Sequence, residues 1–216
     1  MKPYKYILLD WDGNLAKTLD IWLFALKTSL EKREIYLSDK EIGADFKIFE
    51  ERMVGRGIKD IDAILNEANL IAVEKVLDVE LYPNAKNILT DLRKASKYLA
   101  LVTTSRHDLI DALLKKHEMQ QSFDFVVCGD DTLNQKPDPE PLLKALDLLG
   151  ASDRKGHAVM VGDSNADINA ARQAGIDSIL FYPPEHKVFY DIEELRALNP
   201  THIISDFREL LSCIEK

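Results

Sequence analysis

Tyr6-Ile7-Leu8-Leu9-Asp10-Trp11-Asp12-Gly13-Asn14 opens on four apolar residues and stops on a carboxylate. A continuous apolar run this short suits a strand buried on both faces, as in a parallel sheet. The design recurs along the chain. Tyr98-Leu99-Ala100-Leu101-Val102 ends at Thr103, Phe125-Val126-Val127-Cys128 at Gly129, and Ala158-Val159-Met160-Val161 at Gly162. Ser178-Ile179-Leu180-Phe181 and His202-Ile203-Ile204 are weaker runs of the same kind. Amphipathic helices fill the gaps. Leu142, Leu146 and Leu149 keep helical spacing after Asp138-Pro139, and Gly150 closes that helix. Ile168, Ala171 and Arg172 lead to Gly175, a second helix end. Strand and helix in alternation predict a doubly wound α/β core.

One stretch breaks the alternation. From Ala16 to Asp78 the pattern is helical throughout. Leu19, Trp22, Leu23, Leu26 and Leu30 form one apolar stripe, and Ser38-Asp39-Lys40-Glu41 reads as a capping box ahead of Ile42, Phe46, Phe49 and Met53. Stripes of this kind are read as core. Gly55-Arg56-Gly57 breaks the helical run, and Tyr82-Pro83-Asn84 marks the return to strand and helix.

Composition narrows the function. The chain has 216 residues, 46% of them hydrophobic, and a formal charge of −9. That charge argues against nucleic acid, whose phosphates require clustered Lys and Arg. It does not exclude a small anionic substrate, because a bound cation and a few local donors outweigh the global charge. No apolar run approaches the roughly 20 residues needed to span a bilayer, so no membrane association is expected. The opening Met1-Lys2-Pro3-Tyr4 leads straight into a strand with no signal-peptide pattern. Cys128 and Cys213 lie far apart and are read as thiols in a reducing cytosol, which makes the expected location cytoplasmic.

Polar residues gather where the strands end, and in open α/β sheets ligands bind outside those ends. Asp10 and Asp12 follow the first run and Thr103-Thr104-Ser105 the second. Lys136 lies in the loop after Cys128, and Asp163 and Asp167 follow Gly162. Crowded carboxylates repel one another, and a hard cation such as Mg²⁺ relieves that repulsion through oxygen ligands. Asp10 and Asp163 would ligate it. Asp10 can also attack phosphorus to form an aspartyl-phosphate, and Asp12 can protonate the leaving oxygen and then activate water. Thr103 can hold phosphate oxygens, and Lys136 opposes the developing negative charge. Each piece alone reads as an ordinary turn, cap or exposed lysine; four of them in order, each after a strand, read as a site.

On these motifs the chain resembles the haloacid dehalogenase superfamily, in the branch of phosphoglycolate phosphatase and β-phosphoglucomutase. Asp10-Trp11-Asp12-Gly13-Asn14 matches the family's Asp-x-Asp-Gly-Thr/Val, Thr103 its Ser/Thr, Lys136 its lysine, and Gly162-Asp163 with Asp167 its Gly-Asp-x-x-x-Asp. The resemblance covers essentially the whole chain. It implies a Rossmann-like core over 1–15 and 80–216 with an inserted all-helical cap over 16–79. It implies Mg²⁺ held by Asp10, Asp163 and the main-chain oxygen of Asp12, with Asp167 supporting metal and lysine. The expected activity is Mg²⁺-dependent hydrolysis of a small phosphorylated metabolite. A phosphomutase of the same family and, from another class, a phosphate-accepting signalling module are the alternatives. Asn14 replaces the usual Thr or Val, and Lys17 stands where related enzymes carry Asp or Asn. Lys17 and Arg56, with Thr104, are the expected substrate contacts, the two cations implying an anionic leaving group. Oligomeric state is not legible.

Overall fold

The computed structural model describes residues 3–43 and 53–215. Six strands form one parallel sheet: β1 (Tyr6–Leu9), β2 (Tyr98–Val102), β3 (Phe125–Val127), β4 (Ala158–Gly162), β5 (Asp177–Phe181) and β6 (His202–Ile204). Their order is β3-β2-β1-β4-β5-β6, which reverses direction between β1 and β4. Both weaker runs are strands. The continuous apolar pattern has the expected cause in the central strands, whose alternate side chains enter different cores. Ile7 and Leu9 of β1 pack with Leu99, Leu101, Val159 and Val161 under the helices α4 (Ala85–Lys94), α5 (His107–Lys116) and α9 (Leu210–Ile214). Tyr6 and Leu8 pack on the other face with Ala100 and Met160 under α6 (Glu140–Leu148) and α7 (Asn165–Ala174). Complete burial of a side chain of this size contributes about 1.5–3 kcal/mol.

The helices end where their sequence signals fall. Asp138 Oδ1 accepts the Glu140 N–H at 2.9 Å, and Gly150 and Gly175 take the left-handed conformation at φ 64° and 75°. Ser38 and Glu41 form their capping box at the start of α2 (Asp39–Gly43), with the Ser38 N–H on Glu41 Oε2 at 2.9 Å.

The inserted layer carries α1 (Thr18–Glu31), α2 and α3 (Ile61–Val76). It has its own apolar cluster, in which Leu26, Leu30, Ile42, Met53 and Ile64 meet. Phe46 and Phe49 lie outside the described residues. The chain leaves the sheet and returns beside itself: the Lys17 N–H bonds the Glu80 carbonyl at 2.9 Å, and the Tyr82 N–H bonds the Leu15 carbonyl at 2.9 Å. Ala16 and Val79, assigned to the cap by sequence, are buried in the larger core of the sheet, because these paired crossings are packed against it. Among the described residues no helix is long and apolar enough to cross a membrane.

Candidate active site

The reversal of strand order places the ends of β1 and β4 side by side. Asp10 leaves β1 and Asp163 leaves β4, while Lys136 reaches in from the loop after β3. Lys136 Nζ lies 2.8 Å from Asp10 Oδ1 and 2.7 Å from Asp167 Oδ1, and donates to the Val102 carbonyl at 3.0 Å. Asp10 Oδ1 also accepts the Trp11 N–H at 2.8 Å. Ser164 caps α7, and its hydroxyl donates to Asp167 Oδ2 at 2.7 Å. Tyr190 lines the cavity with Asp163 and opposes the rise that burial gives its carboxyl, while Asp163 Oδ2 is buried without a protein donor.

Two glycines make this crowding possible. Gly13 sits at φ 71°, and a Cβ there would stand 2.3 Å from Asp163 Oδ2. A Cβ on Gly162 would stand 2.3 Å from the Asp167 carboxyl carbon. Any side chain at either position would push a carboxylate out of the cluster.

The electrostatics follow from burial. Asp10, Asp163, Asp167 and Lys136 are all nearly inaccessible. Burial first, then the charges of Asp167 and Asp12, raise Asp10 far above the usual carboxylate range, against the pull of Lys136. Burial, then Asp167 and Asp10, raise Asp163 in the same direction. Burial alone would lower Lys136, but Asp10 and Asp167 outweigh it and hold the ammonium protonated. One lysine therefore faces three buried carboxylates. Asp10, Asp163 and Asp167 can each present an oxygen within 4.8 Å of the others. An all-oxygen set with excess negative charge and an undonated Asp163 oxygen fits a hard divalent cation. Both Asp167 oxygens already accept protein donors, which suits it to holding Lys136.

Asp12 stands apart from that cluster. Its Oδ2 accepts the Ser105 hydroxyl at 2.8 Å and the Thr103 hydroxyl at 3.2 Å. Thr103 is buried behind Asp12, while Thr104 and Ser105 line a cavity of about 780 Å³ with Asp10, Asp12, Lys136 and Asp163. Asn14 is wholly buried, and its amide donates to the Asp10 carbonyl at 3.0 Å. It braces the loop that carries Asp10.

Lys17 and Arg56 are not brought to this cavity. Lys17 lies 3.9 Å from Glu80 and over the Tyr82 ring, and Arg56 pairs with Glu41 at 3.0 Å. Acidic partners distant in sequence meet both side chains outside the cavity. Sequence reading gave no site role to three residues found there. Ser105 had a local signal, two positions after Thr103. Tyr190 had none, since it follows β5 in an irregular segment. Trp22 was assigned to core, yet it is 39% exposed and lines the cavity.

A sequence profile of the haloacid dehalogenase-like hydrolases matches residues 7–181, a span that contains every strand end described above except that of β6. The chain belongs to that family. It is 30% identical to a pyrophosphatase PpaX of Bacillus mycoides over 97% of this chain and 96% of that one. It is 28% identical to a phosphoglycolate phosphatase of Photorhabdus laumondii, covering 99% of this chain and 94% of the relative. The crystal structure of a conserved haloacid dehalogenase-like protein of unknown function from Agrobacterium tumefaciens superposes with a TM-score of 0.86 at 22% identity, over 98% and 97% of the two chains. This haloacid dehalogenase-like chain therefore shares the fold of that structure.

Proposed function

We propose that this chain is a Mg²⁺-dependent phosphatase that hydrolyses a small phosphorylated metabolite through a phosphoryl group carried on Asp10. The observation that supports this most is the buried set of Asp10, Asp163 and Asp167 around one lysine, with an Asp163 oxygen lacking a protein donor. Relatives named as phosphatases and pyrophosphatases support phosphoryl hydrolysis as the reaction class.

Asp10 attacks phosphorus, the bond from phosphorus to the leaving oxygen breaks, and Asp12 gives that oxygen its proton. Asp12, now a carboxylate, takes a proton from water as the water attacks phosphorus; orthophosphate leaves and Asp10 is regenerated. Thr103 and Ser105 hold Asp12 in place for both steps. Lys136 pulls Asp10 toward its ionised form against burial and opposes charge on the phosphoryl oxygens. Asp10, Asp163 and the main-chain oxygen of Asp12 would hold Mg²⁺, which supplies further positive charge to those oxygens.

Two measurements test the reading. Asp10→Asn should fold and lose turnover, since an amide neither attacks phosphorus well nor binds a hard cation; retention of a substantial rate would overturn the covalent route. Chelation should abolish phosphate release and Mg²⁺ restore it. Mg²⁺ at about a hundred times its Kd should also stabilise the folded chain by about 2.7 kcal/mol, read as a shift in Tm. Asp163→Ala should lose that shift. A shift that persists in Asp163→Ala would place the ion elsewhere.

A further inference from the structure

We propose that the site prefers a leaving group with an uncharged, apolar body over one that carries a second anion. The inference rests on the phosphatase reading above and concerns the end of the cavity that the phosphoryl group does not occupy.

The cavity, about 780 Å³, has far more room than a phosphoryl group needs. Its acidic end is the cluster of Asp10, Lys136 and Asp163. Beyond it the walls mix polar residues such as Thr18, Ser164 and Asn169 with a group of large apolar ones. Leu19, Trp22 and Leu26 come from α1, Leu65 from α3, and Leu195 and Leu198 from α8 (Ile192–Ala197) and the residue that follows it. Leu19 and Leu26 are buried, while Trp22 between them remains 39% exposed. A large ring held open to a cavity gains free energy when an apolar group covers it.

Charge points the same way. Among the described residues that line the cavity, Lys136 is the one cation, and it already contacts Asp10 and Asp167. Asp191 and Glu194 add negative charge beside Leu195. A carboxylate or second phosphate placed against these leucines would lose its hydration without a cation in return, and would be repelled by both acids. An apolar alcohol has no such cost. Lys17 and Arg56, which would have favoured an anion, are paired with Glu80 and Glu41 outside the cavity.

The test compares kcat/KM with Mg²⁺ for 2-phenylethyl phosphate, 2-aminoethyl phosphate, phosphoglycolate and pyrophosphate. The three esters all release primary alkoxides, so binding of the leaving group is the main difference among them. Acetyl phosphate, a reactive acyl phosphate, reports the phosphoryl chemistry separately. The phenylethyl ester should exceed phosphoglycolate at least about tenfold, the lower limit for one well-fitted methylene. Trp22→Ala should reduce that ratio by roughly the same factor. Leu65→Arg, at a half-buried position facing the cavity, should raise kcat/KM for phosphoglycolate about tenfold, the scale of a charged hydrogen bond. Turnover of acetyl phosphate with equal or greater preference for phosphoglycolate, pyrophosphate or the aminoethyl ester would overturn this inference and leave the phosphatase reading standing. Ratios unmoved in both variants would overturn it too. No phosphate from any of the five compounds would overturn the phosphatase reading and the inference together.

Discussion

Asp12 shows how one side chain acquires its role from its neighbours. Asp10 and Asp12 are two residues apart, yet Asp10 is buried against Lys136 while Asp12 takes two hydroxyl hydrogen bonds at the cavity wall. A strand sends alternate side chains to the same face, and the loop beyond β1 lets both carboxylates reach one cavity. The ammonium beside Asp10 favours an ionised nucleophile. The hydroxyls on Asp12 fix its direction without supplying a charge. Asp12→Ala should therefore cut turnover by about 10² to 10⁴, the range for a lost general acid and base. The loss should shrink for nitrophenyl phosphate, whose leaving oxygen needs little protonation. Equal losses on nitrophenyl and alkyl esters, with ester cleavage limiting, would assign Asp12 to positioning alone.

At the scale of elements, the junction of β4 and α7 sets the geometry of the cluster. The strand ends at Gly162 and the helix begins at Asn165, so Asp163 and Ser164 make the whole turn. Asp167, one helical turn on, folds back over Gly162, accepts from Ser164 and meets Lys136. This works only because Gly162 has no Cβ. Gly162→Ala should destabilise the fold by about 1–3 kcal/mol, the usual cost of forcing extra volume into a packed site, and should lower turnover by moving Asp167 from Lys136. Gly156→Ala is the control, because a Cβ there meets nothing within 4 Å. Urea unfolding of both variants checks this; equal midpoints would show that the junction relaxes freely.

At the scale of the molecule, the sheet and the helical layer meet near a buried histidine. His186 is inaccessible among the rings of Tyr82, Phe181, Tyr182 and Tyr190, with its Nε2 2.8 Å from the Tyr82 hydroxyl. Its segment, Pro184–Val188, packs against α2 so closely that a Cβ on Gly43 would stand 2.8 Å from the Val188 carbonyl. Burial lowers His186 from 6.5 to about 3. Between those values the unfolded chain holds a proton that the folded chain does not, so this residue's contribution to stability falls as pH falls from 6.5 toward 3. The largest slope for one such group is about 1.4 kcal/mol per pH unit. His186→Gln removes the titration. Relative to that variant, the parent chain should gain stability as pH rises through this window, measured by urea unfolding at several pH values. Parallel profiles would show that His186 is solvated or stays protonated in the fold.

The strands, their parallel arrangement and the four site motifs were legible in the sequence because each rests on local chemistry. Short apolar runs such as Tyr6-Ile7-Leu8-Leu9 have no hydrated face, and each motif falls at the end of such a run or in the loop that follows it. Ser38 and Glu41, or Asp138 and Gly150, signal helix ends through hydrogen bonds within a few residues. What only the tertiary structure decided involves partners far apart in the chain. Tyr190 reaches Asp163 from 27 positions away, across the turn after β5. Lys17 and Arg56 carry the right charge for an anion, but Glu80 and Glu41 hold them outside the cavity. Trp22 fits the helical spacing of its buried neighbours, yet its rotation about α1 turns it to the cavity. Apolar spacing tells which face of a helix leaves water. It does not tell whether that face meets a core or a ligand, because both remove the same surface from solvent.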